Sequence, residues 1–396
     1  MTLLMLPSVP LLRVLAMLEP KDLIAAGRAS PRLGALTRAN TSLWKESEVW
    51  DQDVMTLLQV IPPVDTLKAE VEPLFSVSGE PLSVPLRPRD ASGTPDPTFS
   101  YPRYSGSVLV GRRSELVLKE SKSCYYSEFI AVSLIWELAP RLKHLEVSQL
   151  ELGIFLQFLE SAFCLETLRI RNLCTYSKNA SVPWPQDVRV PRLHTVSLSG
   201  RCPDRDVTAL RSLLLAHRGQ LRHVDLSDLS SPLPLLDACP DNLHRLGVKV
   251  EDAESCVAVA KTLHRMQGQL KELKMNFRFA DADLVQDSLA SWGGPLERLE
   301  FENYYPETLR VVGAGGLSGL QHLVLVRPRG DDPGEVSAAL SGLPRLRSLV
   351  LRAGLCMLPP EAFLDIPAAN PDLELLVVVG ITKYNCLCLY KGESLE

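Results

Sequence analysis

Residues 221–226 read LRHVDL, 243–248 LHRLGV, 270–275 LKELKM and 296–301 LERLEF. In each hexad the first, fourth and sixth residues are apolar, and those between are polar or small. The alternation over the last three positions is that of a strand, with the fourth and sixth residues on one face and the fifth on the other. The same offsets recur ten times, starting at Leu142, Leu165, Leu193, Leu221, Leu243, Leu270, Leu296, Leu320, Leu346 and Leu373. All thirty positions are apolar, and successive starts lie about 26 residues apart, within the range of ~20 to 29 residues for one class of solenoid unit.

Offsets 0, 3 and 5 at that spacing resemble the strand core of leucine-rich repeats. The resemblance implies an α/β solenoid, with a parallel sheet on the concave face and helices outside. Helical patterns between the strands agree, as in Val207, Leu210, Leu213 and Leu214, or Val257, Val259, Ala260 and Leu263. The Asn or Cys that the family carries at offset 8 is absent; Leu150, Arg201, Glu251 and Pro328 are among the residues there, so an irregular solenoid is expected. Looser matches at Val64, Leu67 and Ala69, and at Leu116 and Leu118, point to degenerate units ahead of the ten clear ones. Half of residues 76–107 are Pro, Gly or Ser, the composition of a loop. The expected layout is a helical module over 1–50, degenerate repeats over 51–140 with the loop at 76–107, ten repeats over 141–382, and a tail over 383–396.

The first fifty residues follow another period. From Pro10, the residues Leu11, Leu12, Val14, Leu15 and Leu18 recur at three and four residue intervals, which predicts a short amphipathic helix. Glu19 and Pro20 end it, Asp22 is placed to cap a second helix over Leu23 to Ala26, and Pro31 opens a third carrying Leu33 and Leu36. Leu43 and Trp44 close a segment too small to bury all of its own surface.

The order LPSVPLL, VLAML, EPKDL, PRLGAL and SLW across Leu6 to Trp44 resembles an F-box, the module by which receptors attach to the Skp-type adaptor of SCF-type cullin-RING ubiquitin ligases. The resemblance implies that Leu6, Pro7, Leu11, Leu12, Leu15, Leu18, Leu23, Leu43 and Trp44 meet the adaptor, and through it the cullin and RING subunits. On that reading the chain is a non-catalytic substrate receptor, cytoplasmic and/or nuclear. The alternative is a leucine-rich-repeat scaffold or inhibitor, whose N-terminal helices cap the first repeat and carry no ligase link.

Composition removes other classes. Lys plus Arg total 42 against 47 Asp plus Glu, a net charge of -5, so there is no cationic excess for nucleic acid. No uncharged apolar run reaches about 18 residues, so no membrane span is expected. The nine cysteines lack a regular framework, which fits a reducing compartment. Cys386 and Cys388 are spaced too closely for a structural zinc site, and no nucleotide, protease or hydrolase motif occurs. No cofactor, metal or catalytic residue is expected.

A protein target is therefore sought on the sheet. Residues at offsets 2, 4 and 6 face away from the apolar core. Arg245, Glu272 and Arg298 hold offset 2 on successive strands, and Lys274 neighbours Glu300 at offset 4, so the middle of the face should neutralise itself. Val324, Val350 and Val377 form an apolar row after it. Candidate target contacts are Arg169, Arg171, Lys249, Lys274, His322, Val324, Val350 and Arg352. The tail, with Tyr384, Leu387, Leu389 and Tyr390, is expected to fold back over the valines.

Overall fold

The computed structural model of the chain describes residues 6–44, 47–50, 60–61, 66–70, 106–110, 115–120, 138–148, 158–171, 190–201, 204–230, 232–278, 283–305, 308–309, 312, 317–327, 343, 345–353, 370, 372–380 and 386–390. The chain divides into two compact units, 1–193 and 194–396.

The first unit opens with helices α1 (Ser8–Leu15), α2 (Pro20–Ala29) and α3 (Pro31–Ala39), followed by a single 3-10 turn, Thr41–Trp44. Helix α1 stops three residues earlier than its period implied, because the chain tightens there: Met17 N–H donates to Val14 C=O and Leu18 N–H to Leu15 C=O. Asp22 is not the cap of α2. Pro20 takes the first helical position, where its fixed φ fits and its missing N–H costs nothing, and Asp22 falls in the first turn, where the helix dipole favours an acid. Helices α2 and α3 meet through Gly27 and Gly34: a Cβ on Gly34 would lie 2.8 Å from Gly27 O. Trp44 plugs the module from below, fully buried, with Nε1 donating to Thr37 C=O at 3.0 Å.

The same unit contains strands β1 (Ser47–Trp50), β2 (Thr66–Glu70), β3 (Gly106–Val110), β4 (Glu115–Glu120), β5 (His144–Ser148) and β6 (Thr167–Arg171), in the order β1-β3-β4-β2-β5-β6. Strands thus fall on the looser matches at Leu67 and Leu116, but they are not stacked in chain order. Strand β4 lies on the far side of β2 from β5, parallel to β2, while β3 runs antiparallel to both β4 and β1. Residues 76–105 of the expected loop lie outside the described residues, and its last two, Gly106 and Ser107, belong to β3.

In the second unit strands β7 (Thr195–Arg201), β8 (His223–Ser230), β9 (Arg245–Val250), β10 (Glu272–Phe277), β11 (Arg298–Glu302), β12 (His322–Val326), β13 (Ser348–Ala353) and β14 (Leu375–Gly380) follow chain order as parallel neighbours. Helices α4 (Asp204–Ala216), α5 (Leu233–Leu236), α6 (Ala253–Met266) and α7 (Asp283–Ala290) connect them. This is the α/β repeat architecture that the hexads implied. Of the thirty apolar positions, twenty-nine have described side chains and none is more than 3% exposed. The thirtieth, Val378, lies within β14.

The register has a backbone cause. At each strand entry two successive N–H groups converge on one carbonyl of the preceding unit: Arg222 and His223 on His194 O, His244 and Arg245 on Arg222 O, Lys271 and Glu272 on His244 O. The same step recurs down to Glu374 and Leu375 on Arg347 O. At strand exits the signal sits at offset 7 rather than 8. Gly200, Asn303 and Arg327 all adopt positive φ there, at 91°, 54° and 52°, a conformation that suits Gly and Asn and strains Arg.

One helical reading holds and one changes. In α4 the expected face is buried, whereas in α6 Val257 points to solvent at 54% exposure and Cys256, Val259, Leu263 and Met266 turn inward. Asp252 caps α6, accepting from Ser255 N–H at 2.8 Å, and this box sets the helix phase that leaves Val257 outside. The tail does not lie across the valines: β15 (Cys386–Tyr390) pairs antiparallel with β14, Val377 opposite Cys388. Unpaired N–H and C=O groups on an edge strand are a stronger demand than a half-covered aliphatic row.

Candidate interaction surfaces

The helical module sorts its apolar residues into two sets. Leu11, Leu15, Leu23 and Trp44, read as adaptor contacts, are at most 1% exposed and form the module's own core with Ile24 and Leu33. A partner cannot reach them. Of the others, Pro7 is exposed and Leu6, Leu12, Leu18 and Leu43 are half-buried. Two exposed residues outside the expected set join this rim: Val9 at 64% and Met17 at 85%. Val9 lies two residues from Leu11, on the side of α1 away from the buried stripe, and Met17 follows the helix two residues after Leu15.

On the sheet, the even-offset residues line up across strands as their spacing implies. At offset 4 the row runs Ser197, Asp225, Gly247, Lys274, Glu300, Val324, Val350, Val377. Lys274 is its electrostatic centre, with Nζ 3.7 Å from Asp228, 3.9 Å from Glu300 and 3.8 Å from Glu302. Burial is the largest single influence on that ammonium and pulls its pKa down. Asp225, Asp228, Glu300 and Glu302 together outweigh it and hold the group above the ordinary lysine value. Lys274 is therefore charged at any physiological pH.

Gly247 makes this arrangement possible. A Cβ there would lie 2.1 Å from Asp225 Oδ1, so only glycine lets the Asp225 carboxylate lean over β9. The carboxylate is fixed by Ser227, whose N–H and hydroxyl both donate to Oδ1, at 3.0 and 2.7 Å. Asp225, Gly247 and Asp228 were missed as site residues. The first two were legible at offset 4, whereas Asp228 reaches the face only through the register shift that β8 makes after Asp225.

Asp228, Lys274, Glu300, Glu302, Val326, Arg327 and Arg352 line a shallow depression of about 380 Å³. Arg327 donates to Glu302 at 3.4 Å, and Arg352 is exposed. The remaining candidates are scattered by comparison. Lys249 is buried and paired with Glu251, Val324 is buried, and His322 and Val350 are half-buried. In the first unit Arg169 and Arg171 converge on Glu146. The expected cross-strand neutralisation is present: Arg245 lies 3.5 Å from Glu272, and Lys271 donates to Glu297 at 3.0 Å.

A second polar cluster lies at the start of β7 to β10. The Thr195 hydroxyl bridges His194 Nδ1 at 3.0 Å and His223 Nδ1 at 3.2 Å, with the rings edge to face. Burial above all, with the Arg245 guanidinium and the neighbouring His194 and His244 rings adding to it, holds His223 below the usual imidazole pKa, against the opposing pull of Glu272.

No protein-family model matches the sequence, and no characterised protein matches it. Among solved structures, a chain in the crystal structure of the Rad7 and Elc1 complex in yeast aligns over 64% of this chain and 75% of its own length. The identity is 18% and the TM-score 0.40, which is a partial overlap of backbone.

Proposed function

We propose that the chain is a substrate receptor of an SCF-type ubiquitin ligase, docking a Skp-type adaptor through residues 6–44 and a target protein through the repeat sheet. It binds and does not catalyse, and it acts in the cytoplasm and/or nucleus. The observation that carries the reading is the division within the helical module: a complete small core around Trp44, and a separate apolar rim around Val9 and Met17 that the module itself does not cover. Val9 and Met17 are apolar side chains left in water, which a docked partner would bury. The order of segments resembling an F-box supports the adaptor as the partner.

The alternative reading, a repeat scaffold with a helical cap and no ligase link, is favoured by a different contact. Helix α2 packs on β1, the edge strand of the first unit's sheet, and Val60 lies against Gly27. Mixing the purified chain with a Skp-type adaptor separates the two. A receptor co-elutes with the adaptor, and V9D/M17D abolishes the complex with folding intact, since both side chains are in water beforehand and only binding would bury the new charges. A wild-type chain that never co-elutes overturns the receptor reading and leaves the cap.

A further inference from the structure

Between the end of α2 and the flank of α3 lies an open groove of about 470 Å³, lined in part by Val60. Its lining on α3 is Pro31, Gly34, Ala35 and Arg38, which recur at three and four residue spacing and so share one face. Gly27 and Arg28 line it from α2. The two glycines touch backbone to backbone, and the Val60 side chain packs against Gly27 and completes the lining. Pro31 and Ala35, both exposed, give the α3 side of the groove little bulk against an approaching helix.

The charge of the groove is unanswered. Residues 6–44 hold Arg13, Lys21, Arg28, Arg32 and Arg38 against Glu19 and Asp22, five cations to two anions, in a chain whose net charge is -5. Lys21 pairs with Glu19 at 2.9 Å, and Arg32 donates to Leu6 C=O at 2.7 Å. Arg28 and Arg38 are exposed and have no ion pair or hydrogen bond among the described residues. Two guanidinium groups are too few for a nucleic-acid backbone, which takes about 6–10 phosphate contacts. They match carboxylates projecting from one face of a helix, which guanidinium forks bind in bidentate fashion.

We infer that the α2–α3 groove receives an acidic helix of a partner protein, with Arg28 and Arg38 clamping its carboxylates. The inference rests on reading residues 6–44 as a docking module, and deepens it: the partner contributes an acidic helix as well as an apolar contact.

The test uses the full chain and a labelled alanine-based helical peptide of about 20 residues carrying Glu along one face, with its Gln twin as control. Fluorescence anisotropy should show the Glu peptide binding at least about tenfold more tightly than the Gln peptide, with the preference weakened at about 300 mM salt. R28E/R38E should erase the preference. Ala35→Trp, which fills the groove and leaves both arginines, should weaken binding by a similar factor. Circular dichroism confirms folding, and R28Q/R38Q substitutes if the reversal variant unfolds. Equal affinity for the two peptides, or normal binding by either the charge variant or Ala35→Trp, overturns the inference. If the adaptor fails to bind while the Glu peptide still requires Arg28 and Arg38, the receptor reading falls and the groove stands. If the adaptor binds and only V9D/M17D disrupts it, the receptor reading stands and the groove falls.

Discussion

The helical module and the sheet of the second unit are built from the same aliphatic residues, but they handle polar and apolar surplus differently. On the sheet, Lys274 sits among Asp228, Glu300 and Glu302, Arg245 faces Glu272, Lys271 faces Glu297 and Arg327 faces Glu302. In the module, Arg28 and Arg38 have no ion pair or hydrogen bond among the described residues, and Val9 and Met17 are left in water. A charge already surrounded by its opposites offers a partner little, because the partner must displace those neighbours to reach it. An exposed guanidinium without a partner among the described residues offers steering, and an uncovered apolar side chain offers burial. The sheet's middle therefore reads as a stiff, self-satisfied surface, and the module as the part built to be completed by something else.

The contrast can be broken by mutation. Trp44→Ala removes a fully buried indole and its hydrogen bond to Thr37, and should cost about 3–5 kcal/mol in thermal or denaturant unfolding of the module. Met17→Asp should change stability by no more than about 0.5 kcal/mol. A large loss from Met17→Asp would mean that the rim is already covered.

A second pair compares the charges themselves. Lys274→Met leaves four carboxylates facing one another and should destabilise the second unit by about 1–3 kcal/mol near neutral pH, and by less at acid pH, where the carboxylates are protonated. Arg28→Met should be nearly silent in the same assay. Equal effects at the two sites would remove the distinction between paired and unpaired cations.

The sheet should also respond to acid. His223 is held below the imidazole value of 6.5, so below that pH the unfolded chain takes up the proton more readily than the folded one. Its contribution is complete above pH 6.5 and is lost on acidification. His223→Gln should flatten that part of the stability profile; an unchanged profile would show that burial does not hold the His223 imidazole below its usual value.

The smallest effect concerns thiols. Burial pushes Cys239 up to about 12, so it should resist alkylation at pH 8 in the folded protein, while half-buried Cys164 reacts. Mass mapping after brief iodoacetamide treatment reads both.

The parallel strands and their core were legible because offsets 0, 3 and 5 report directly which side chains a strand turns inward. Strand order was not. The pattern at Leu116 and Leu118 announces a strand, yet nothing in it says that β4 passes beyond β2, since order depends on where a chain returns and not on which face is apolar. The pairing of β15 was missed for a related reason: the reading weighed only its apolar side chains, whereas the backbone of β14 decided its position. In the module, the period of α1 located the helix but not the outcome for each leucine. Leu11 and Leu15 answer to α3 and Trp44, which a single helix period cannot anticipate. Val9 and Met17 then emerge as the residues left over.

The most direct test of the docking claim places a photo-crosslinking amino acid at position 17 of the full chain and illuminates it with a Skp-type adaptor present. The account predicts a covalent adduct of one chain with one adaptor, lost when Val9 is replaced by Asp. No adduct at position 17 at saturating adaptor would contradict it.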